Sequence, residues 1–394
     1  MDQIKLTDSI YYLGFNDRRT HLFENMWPIP YGIAYNSYLI KDGKVALIDT
    51  VEHQFIDDYF EKIDNILQGK KIDYLVINHM EPDHSGALKA VTEKYPDIIV
   101  VGNKKTFDLI ENFYKKPKHL LLVDNGSHLN LGKTVLQFHM IPMVHWPETM
   151  VTFDESDQIL FSGDAFGSFG TLDGGVFDDE LNLEFFQEEA MRYFTNVVGK
   201  YCLPTSNALK KLSLFKIRMI AAAHGPIWRT DLNWILSRYK KWSKYKTDPG
   251  VVIVYGSMYG NTEKMAEVIA RQLSVNGVKN IRVYDVSRTH ASYIISDIFK
   301  YKGLIVGAPT YNMGLFPPVY ALLNEIADMK IKDHYLGFFG NYSWSGGAVT
   351  KLKGFAENMN WEMVAEPVEE KSRLKAEKYD QCLRLADAMA VMVL

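Results

Sequence analysis

From residue 10 to residue 240 the chain alternates short β-branched or aromatic runs with segments of helical period. Tyr38–Leu39–Ile40 and Val45–Ala46–Leu47–Ile48 read as strands, and Lys41–Asp42–Gly43–Lys44 between them carries the Asp-Gly pair of a hairpin turn. Apolar positions recur at helical spacing from Phe55 to Leu67, which predicts a helix. Tyr74–Leu75–Val76–Ile77 and Ile98–Val101 are continuous apolar runs, as in buried strands, with helices expected from Ala87 to Lys94 and from Phe107 to Tyr114. Thr134–Met140 and Val151–Phe153 alternate, while Ile141–Val144, Ile159–Phe161 and Met219–Ala223 are again apolar. This order fits a two-sheet sandwich flanked by helices.

From Trp242 to Gly250 the chain turns polar and closes on Asp248–Pro249–Gly250, a linker that puts the expected boundary between domains 1–248 and 249–394. A second α/β pattern follows: strand Val251–Tyr255, helix Glu263 to Leu273, strands Gly303–Ala308 and Leu336–Gly340, and a closing helix from Lys375.

A length of 394 residues suits roughly two or three such domains. The formal net charge of -4 gives no general attraction to nucleic acid or to an anionic membrane. No apolar run reaches the ~20 residues of a membrane span, and Met1–Lys5 does not open a signal peptide. The two cysteines, Cys202 and Cys382, form no CxxC pair, which excludes a built-in iron–sulfur cluster or rubredoxin-type iron. A cytoplasmic protein is expected.

The candidate chemistry begins at the end of the Tyr74–Ile77 run. His79, Glu81, Asp83 and His84 crowd into six residues, around a Pro82 that stiffens the loop. Two imidazoles and two carboxylates form a hard, mixed N/O set, better suited to iron or manganese than to structural zinc. His145, Asp164 and His224 each follow an apolar run. Together the seven side chains exceed what one tetrahedral ion takes and suit two bridged ions. Asp164 is the natural bridge, since a carboxylate offers two oxygens and an imidazole one usable nitrogen. His21, His53, His119, His128, His139, His290 and His334 lack such context and are expected to be ordinary surface or core residues.

The H-x-E-x-D-H motif with His145, Asp164 and His224 resembles the metallo-β-lactamase-like domain of the flavodiiron proteins. The resemblance implies an αββα sandwich and two non-haem irons: His79, Glu81 and His145 on one, Asp83, His84 and His224 on the other, and Asp164 between them. Hydrolytic relatives have a histidine where this chain has Glu81, and usually hold zinc. The added negative charge favours ferric iron over a zinc hydroxide. The family also places side chains close to the open iron face, for which Glu24 and Tyr193 are candidates.

In the second half, Val251–Tyr255 runs into Gly256–Ser257–Met258–Tyr259–Gly260–Asn261–Thr262 and then a helix. Strand, small polar loop and helix N-terminus together make an anion site. There is no Gly-Lys-Ser/Thr ending and no GxGxxG, which excludes a Walker A loop and a dinucleotide fingerprint. Two further strands end in Pro309–Thr310–Tyr311–Asn312–Met313–Gly314 and in Asn341–Tyr342–Ser343–Trp344–Ser345–Gly346–Gly347. A phosphate loop beside aromatic loops on one carboxyl edge suits a flat heteroaromatic ring with a single phosphate. The segment resembles the flavodoxin-like doubly wound parallel sheet, which implies FMN with Tyr342 or Trp344 covering the ring.

The resemblance thus spans the chain, in the minimal two-domain class. It implies a reductase of O2 to water or NO to N2O, supplied by an external donor, rubredoxin by family. It also implies a head-to-tail homodimer, or a dimer of such dimers, pairing one chain's FMN with the other's irons. The alternatives are a metallohydrolase with an accessory flavodoxin domain, an electron-transfer module whose metal site is only structural, and direct reduction by a deazaflavin coenzyme.

Overall fold

The computed structural model describes residues 3–394. Close packing divides the chain between Lys240 and Lys241, and the two units are described separately.

The first unit is a sandwich of two sheets. One contains, in spatial order, Ile10–Tyr12, Tyr38–Lys41, Val45–Ile48, Tyr74–Val76, Ile99–Gly102 and His119–Leu122. Its first two pairings are antiparallel and the rest parallel. The other runs His128–Asn130, Val135–Met140, Met150–Asp154, Ile159–Gly163 and Met219–Ala222. Tyr38, Ile40, Ile48, Val76 and Val101 of the first sheet share one buried cluster with Leu136, Phe138, Ile159, Phe161 and Ala221 of the second. Burying this face of each sheet is what holds the layers together.

The helix expected from Phe55 forms over Ile56–Leu67 and buries Tyr59, Ile63, Ile66 and Leu67, the i, i+4, i+7, i+8 stripe. It stops at Gln68, in the left-handed conformation. One expected strand does not form. Ile141–Val144 lies beyond Val135–Met140, in a turn where Val144 N–H donates to Ile141 C=O and Met143 N–H to Trp146 C=O. Ile141 and Val144 are apolar because they are buried, not because they pair in a ladder.

In the second unit the strand order is Ile281–Asp285, Asp248–Tyr255, Tyr301–Tyr311, Tyr335–Tyr342, and a last position filled by Glu362–Met363 and Val368–Lys371. These pairs are parallel. Helices Asn261–Val275 and Ala376–Val393 pack together. The first strand begins at Asp248, so Asp248–Pro249–Gly250 opens the strand and only residues 243–247 lie between it and the helix Leu232–Trp242. No helix among the described residues is long and apolar enough to cross a membrane.

Gly307 shows how tightly this sheet packs. A Cβ there would lie 2.1 Å from Cζ of Phe339, its partner on the next strand. Gly307→Ala is therefore expected to destabilise this unit by about 1–3 kcal/mol, measurable as a lower calorimetric midpoint.

Candidate metal centre and flavin edge

The ligand loop is tied to both sheets. Asp49, just past Val45–Ile48, accepts from Asn78 N–H at 2.7 Å and from the Asn78 side-chain amide at 3.0 Å. Asn78 Oδ1 accepts from Thr152 Oγ1 of the second sheet at 2.7 Å, and Asn78 C=O from Met150 N–H. Residue 78 is thus pinned, and the chain enters one helical turn, Pro82–Ser85, with proline at its first position. That turn divides the motif. Glu81 stands at its N-cap and joins His79, while Asp83 and His84 lie within it and join His224.

Two groups result: His79, Glu81, His145 and Asp164; and Asp83, His84 and His224, all buried. Asp164, after the strand Ile159–Gly163, stands between them. Its Oδ2 lies 3.3 Å from His79 Nε2 and 3.1 Å from His145 Nε2. Its Oδ1 lies 2.7 Å from His84 Nε2 and 3.5 Å from His224 Nε2. Glu81 Oε2 is 2.9 Å from His145 Nε2, and Asp83 Oδ2 is 3.1 Å from His224 Nε2. Asp164 is 1 % exposed and His79 and His224 0 %. His145 reaches the group from the 141–149 turn rather than from a strand end.

Burial alone would lower the His79 and His84 imidazolium pKa values. The facing carboxylates outweigh it, Asp164 chief for His79 and Asp83 for His84, and push them up to about 9 and about 10. His145 is raised for the same reason by Asp164 and Glu81. Burial likewise works against the Glu81 and Asp164 carboxylates, yet the imidazoles hold both well below the usual range. Protons thus stand in where cations belong. The donors also fit a metal pair in a second way: both Asp83 oxygens, Asp164 Oδ2 and His224 Nε2 are buried and, although ion-pair distances connect them to neighbouring side chains, make no well-aligned hydrogen bond among the described residues. Buried polar atoms in this number are rarely left unmatched without a ligand.

Glu24 and Tyr193 flank the centre. Leu22–Phe23 and Trp27–Pro28 pair as a small hairpin, with Glu24 and Asn25 at φ 49° and 54° in its tight turn. Partial desolvation and a hydrogen bond with Glu81 raise the Glu24 pKa to about 9. A cavity of about 260 Å³, lined by Phe23, Glu24, Tyr35, Glu52 and Gln54, opens onto Glu81 and Asp83. Asp17 holds this mouth in shape by accepting from Thr20 and Gln54 side chains at 2.6 Å each. The Tyr193 ring packs 5.5 Å from that of His224, with its hydroxyl buried and without a hydrogen-bond partner among the described residues. Of the other histidines, His139 and His334 are buried and the remaining five exposed.

Sequence reasoning missed Asp49, Asn78 and Glu148. Glu148 Oε1 accepts from His79 Nδ1 at 2.7 Å and from Met80 N–H at 3.0 Å. Its position three residues after His145 was the available signal.

In the second unit the register sets Tyr255 beside Gly307, and Pro309 beside Asn341. The loops 256–262, 309–314 and 341–347 therefore leave one sheet edge together. Gly260, at φ 82°, begins the helix Asn261–Val275, and its N–H donates to Ser257 Oγ at 3.0 Å. Thr262 is buried, while Tyr259 is 86 % and Trp344 87 % exposed, apolar area that a planar ligand would cover. Met258, Tyr311, Asn312 and Met313 are also exposed, Tyr342 is half-buried, and Ser343 is exposed. Thr310 Oγ1 accepts from Ala348 N–H at 3.1 Å, and a Cβ on Gly347 would lie 2.6 Å from Met313 C=O, so loops 309–314 and 341–347 touch; half-buried Gly314 and Gly346 belong to them. Asn341 is structural: its amide donates to Glu370 C=O and Ser372 C=O.

Fold and site together define a class: a β-lactamase-like sandwich with a paired acidic and imidazole cluster, joined to a flavodoxin-type nucleotide edge. Residues 33–225 match the ODP family beta-lactamase model, and residues 253–385 the flavodoxin model. The nitric oxide reductase of Moorella thermoacetica is 33% identical over 92% of this chain and 92% of its own. The rubredoxin oxygen:oxidoreductase of Desulfovibrio gigas superposes with a TM-score of 0.94 at 30% identity, over 100% of this chain and 98% of that one. The flavodiiron protein of Giardia intestinalis gives 0.96 at 26% identity, over 100% and 97%. The chain belongs to the flavodiiron protein family, and its cofactors are FMN and a non-haem diiron pair.

Proposed function

We propose that this protein reduces NO to N2O, and O2 to water, at a diiron centre supplied by FMN. The observation that carries the reading is Asp164, whose two oxygens face two different imidazole pairs. In it, His79, Glu81 and His145 would hold one iron and Asp83, His84 and His224 the other, with the two Asp164 oxygens available to both. Ser257, Met258, Tyr259, Gly260, Asn261 and Thr262 take the FMN phosphate, and loops 309–314 and 341–347 hold the ring. Iron held there would supply the Lewis acidity and the electrons for reducing a diatomic.

The chain's own groups do the rest. The Glu24 carboxyl meets Glu81 from the hairpin at the cavity mouth. The Tyr193 hydroxyl, without a hydrogen-bond partner among the described residues, holds a proton beside His224. Buried Phe23 and Phe169 pack against His224 and Tyr193 and exclude water from that side. The reactions balance as 2 NO + 2 e⁻ + 2 H⁺ → N2O + H2O and O2 + 4 e⁻ + 4 H⁺ → 2 H2O.

The donor in this reading is a rubredoxin-type protein, since the named D. gigas relative takes electrons from rubredoxin. The assembly in this reading is a head-to-tail homodimer in which each FMN serves the partner's irons, as the family resemblance implies. An active monomer in the ultracentrifuge contradicts it. A reducing cytoplasm is supported by the low cysteine content, Cys202 and Cys382 alone in 394 residues.

The test is parallel anaerobic consumption of NO and of O2 under reduced rubredoxin, with iron and FMN quantified. Turnover that scales with iron and FMN is expected. Reoxidation at the rate of free flavin, or bound zinc with ester hydrolysis, overturns the reading.

A further inference from the structure

The two metal-holding groups are matched in kind. Each has two imidazoles and one carboxylate of its own, His79, His145 and Glu81 against His84, His224 and Asp83, with Asp164 shared. What differs is what stands behind the imidazoles. His79 Nδ1 donates to Glu148 Oε1 at 2.7 Å, and neither side chain has any exposed surface. Glu148 Oε1 also accepts from Met80 N–H, while its Oε2 has no hydrogen-bond partner among the described residues. The charge of Glu148 therefore bears on His79. Behind the second group, His224 Nδ1 meets the neutral carbonyl of Ala34 at 2.8 Å, and His84 Nδ1 has no partner among the described residues. Asp49, another buried carboxylate close by, hydrogen-bonds to the backbone of residues 78 and 79 and to the Asn78 amide; its charge acts on His84 and His79 through space, but it accepts no hydrogen bond from an imidazole as Glu148 does.

We propose that Glu148 is a positioning residue that makes the two metal positions unequal: the His79–Glu81–His145 position takes iron first and keeps the ferric state more firmly. A carboxylate that accepts the far N–H of a ligand imidazole fixes its tautomer and increases its basicity. In a buried, low-dielectric setting the added negative charge also favours the more highly charged ion. The inference rests on the two-metal reading above.

Metal-free protein titrated anaerobically with ferrous iron is expected to fill in two steps. Glu148→Gln keeps an oxygen acceptor for His79 and Met80 but removes the charge. It is expected to weaken the tighter step about 10-fold or more and to change the weaker one by less than about 3-fold. Glu148→Asp keeps the charge at shorter reach and is expected to bind the first iron more tightly than Glu148→Gln; a packing role alone predicts the reverse order, because Asp leaves the larger gap. In the iron-loaded protein, a potentiometric titration followed by electron paramagnetic resonance is expected to show the two one-electron reductions closer together in Glu148→Gln. Equal weakening of both steps, or Asp no better than Gln, overturns the inference and leaves the two-metal reading standing. A wild-type protein that takes only one iron overturns both.

Discussion

Asp164→Ala is expected to leave FMN content unchanged while bound iron falls from two per chain to one or fewer, and turnover of NO or O2 falls by well over 100-fold. The size follows from position. Substituting outer partners of a metal ligand already costs about 10–100-fold, and Asp164 is nearer than that, with one oxygen 2.7 Å from His84 Nε2 and the other 3.1 Å from His145 Nε2. Neither group retains a shared carboxylate once it is gone. Metal analysis beside the flavin absorbance checks the result. Two irons retained in Asp164→Ala would remove the bridge from the account.

The second large effect concerns the metal-free chain. His79 and His84 titrate at about 9 and about 10 in the folded protein, because buried carboxylates face them and outweigh the burial that would lower them. In the unfolded chain they titrate near 6.5. Folding therefore takes up protons above pH 6.5. The stability these histidines contribute is full below that pH and is lost as pH rises through about 9 to 10. Each proton is worth roughly 1.4 kcal/mol per pH unit, so the loss is on the order of 3 kcal/mol or more. Glu81 and Asp164 are depressed, so their contribution is present above the ordinary carboxylate range and is lost as pH falls below it, through their depressed folded values. Metal-free protein should thus be most stable near pH 5 to 6.5. Iron-loaded protein holds the same imidazoles deprotonated on the metals, so it should lack the alkaline decline and instead release iron in acid. Thermal melts of both forms from pH 5 to 10 are expected to diverge as pH rises. Parallel curves would mean that the cluster does not exchange protons for metal.

How much of this was legible in the sequence depended on range. His79, Glu81, Asp83 and His84 are dense enough to read directly, because one short turn after a strand must present all four. His145, Asp164 and His224 could be gathered because a paired metal needs that many donors, and the structure does bring them together. That loops 256–262, 309–314 and 341–347 leave one sheet edge was legible because parallel strands put their carboxyl ends on one side. Hydrogen bonds across long chain separations were not legible. Glu148 and Asp49 look like ordinary acids until folding sets them against residues 78 to 80. Ile141–Val144 misled for the opposite reason: an apolar run without alternation reports burial, and here burial came with a turn rather than a strand.

The central claim is that side chains from distant elements of the sandwich converge on two metal ions. Diffraction from iron-loaded crystals at the iron absorption edge tests it most directly. The account predicts two anomalous peaks per chain, one enclosed by His79, Glu81 and His145, the other by Asp83, His84 and His224, with Asp164 touching both. A single peak, or peaks away from these residues, contradicts it.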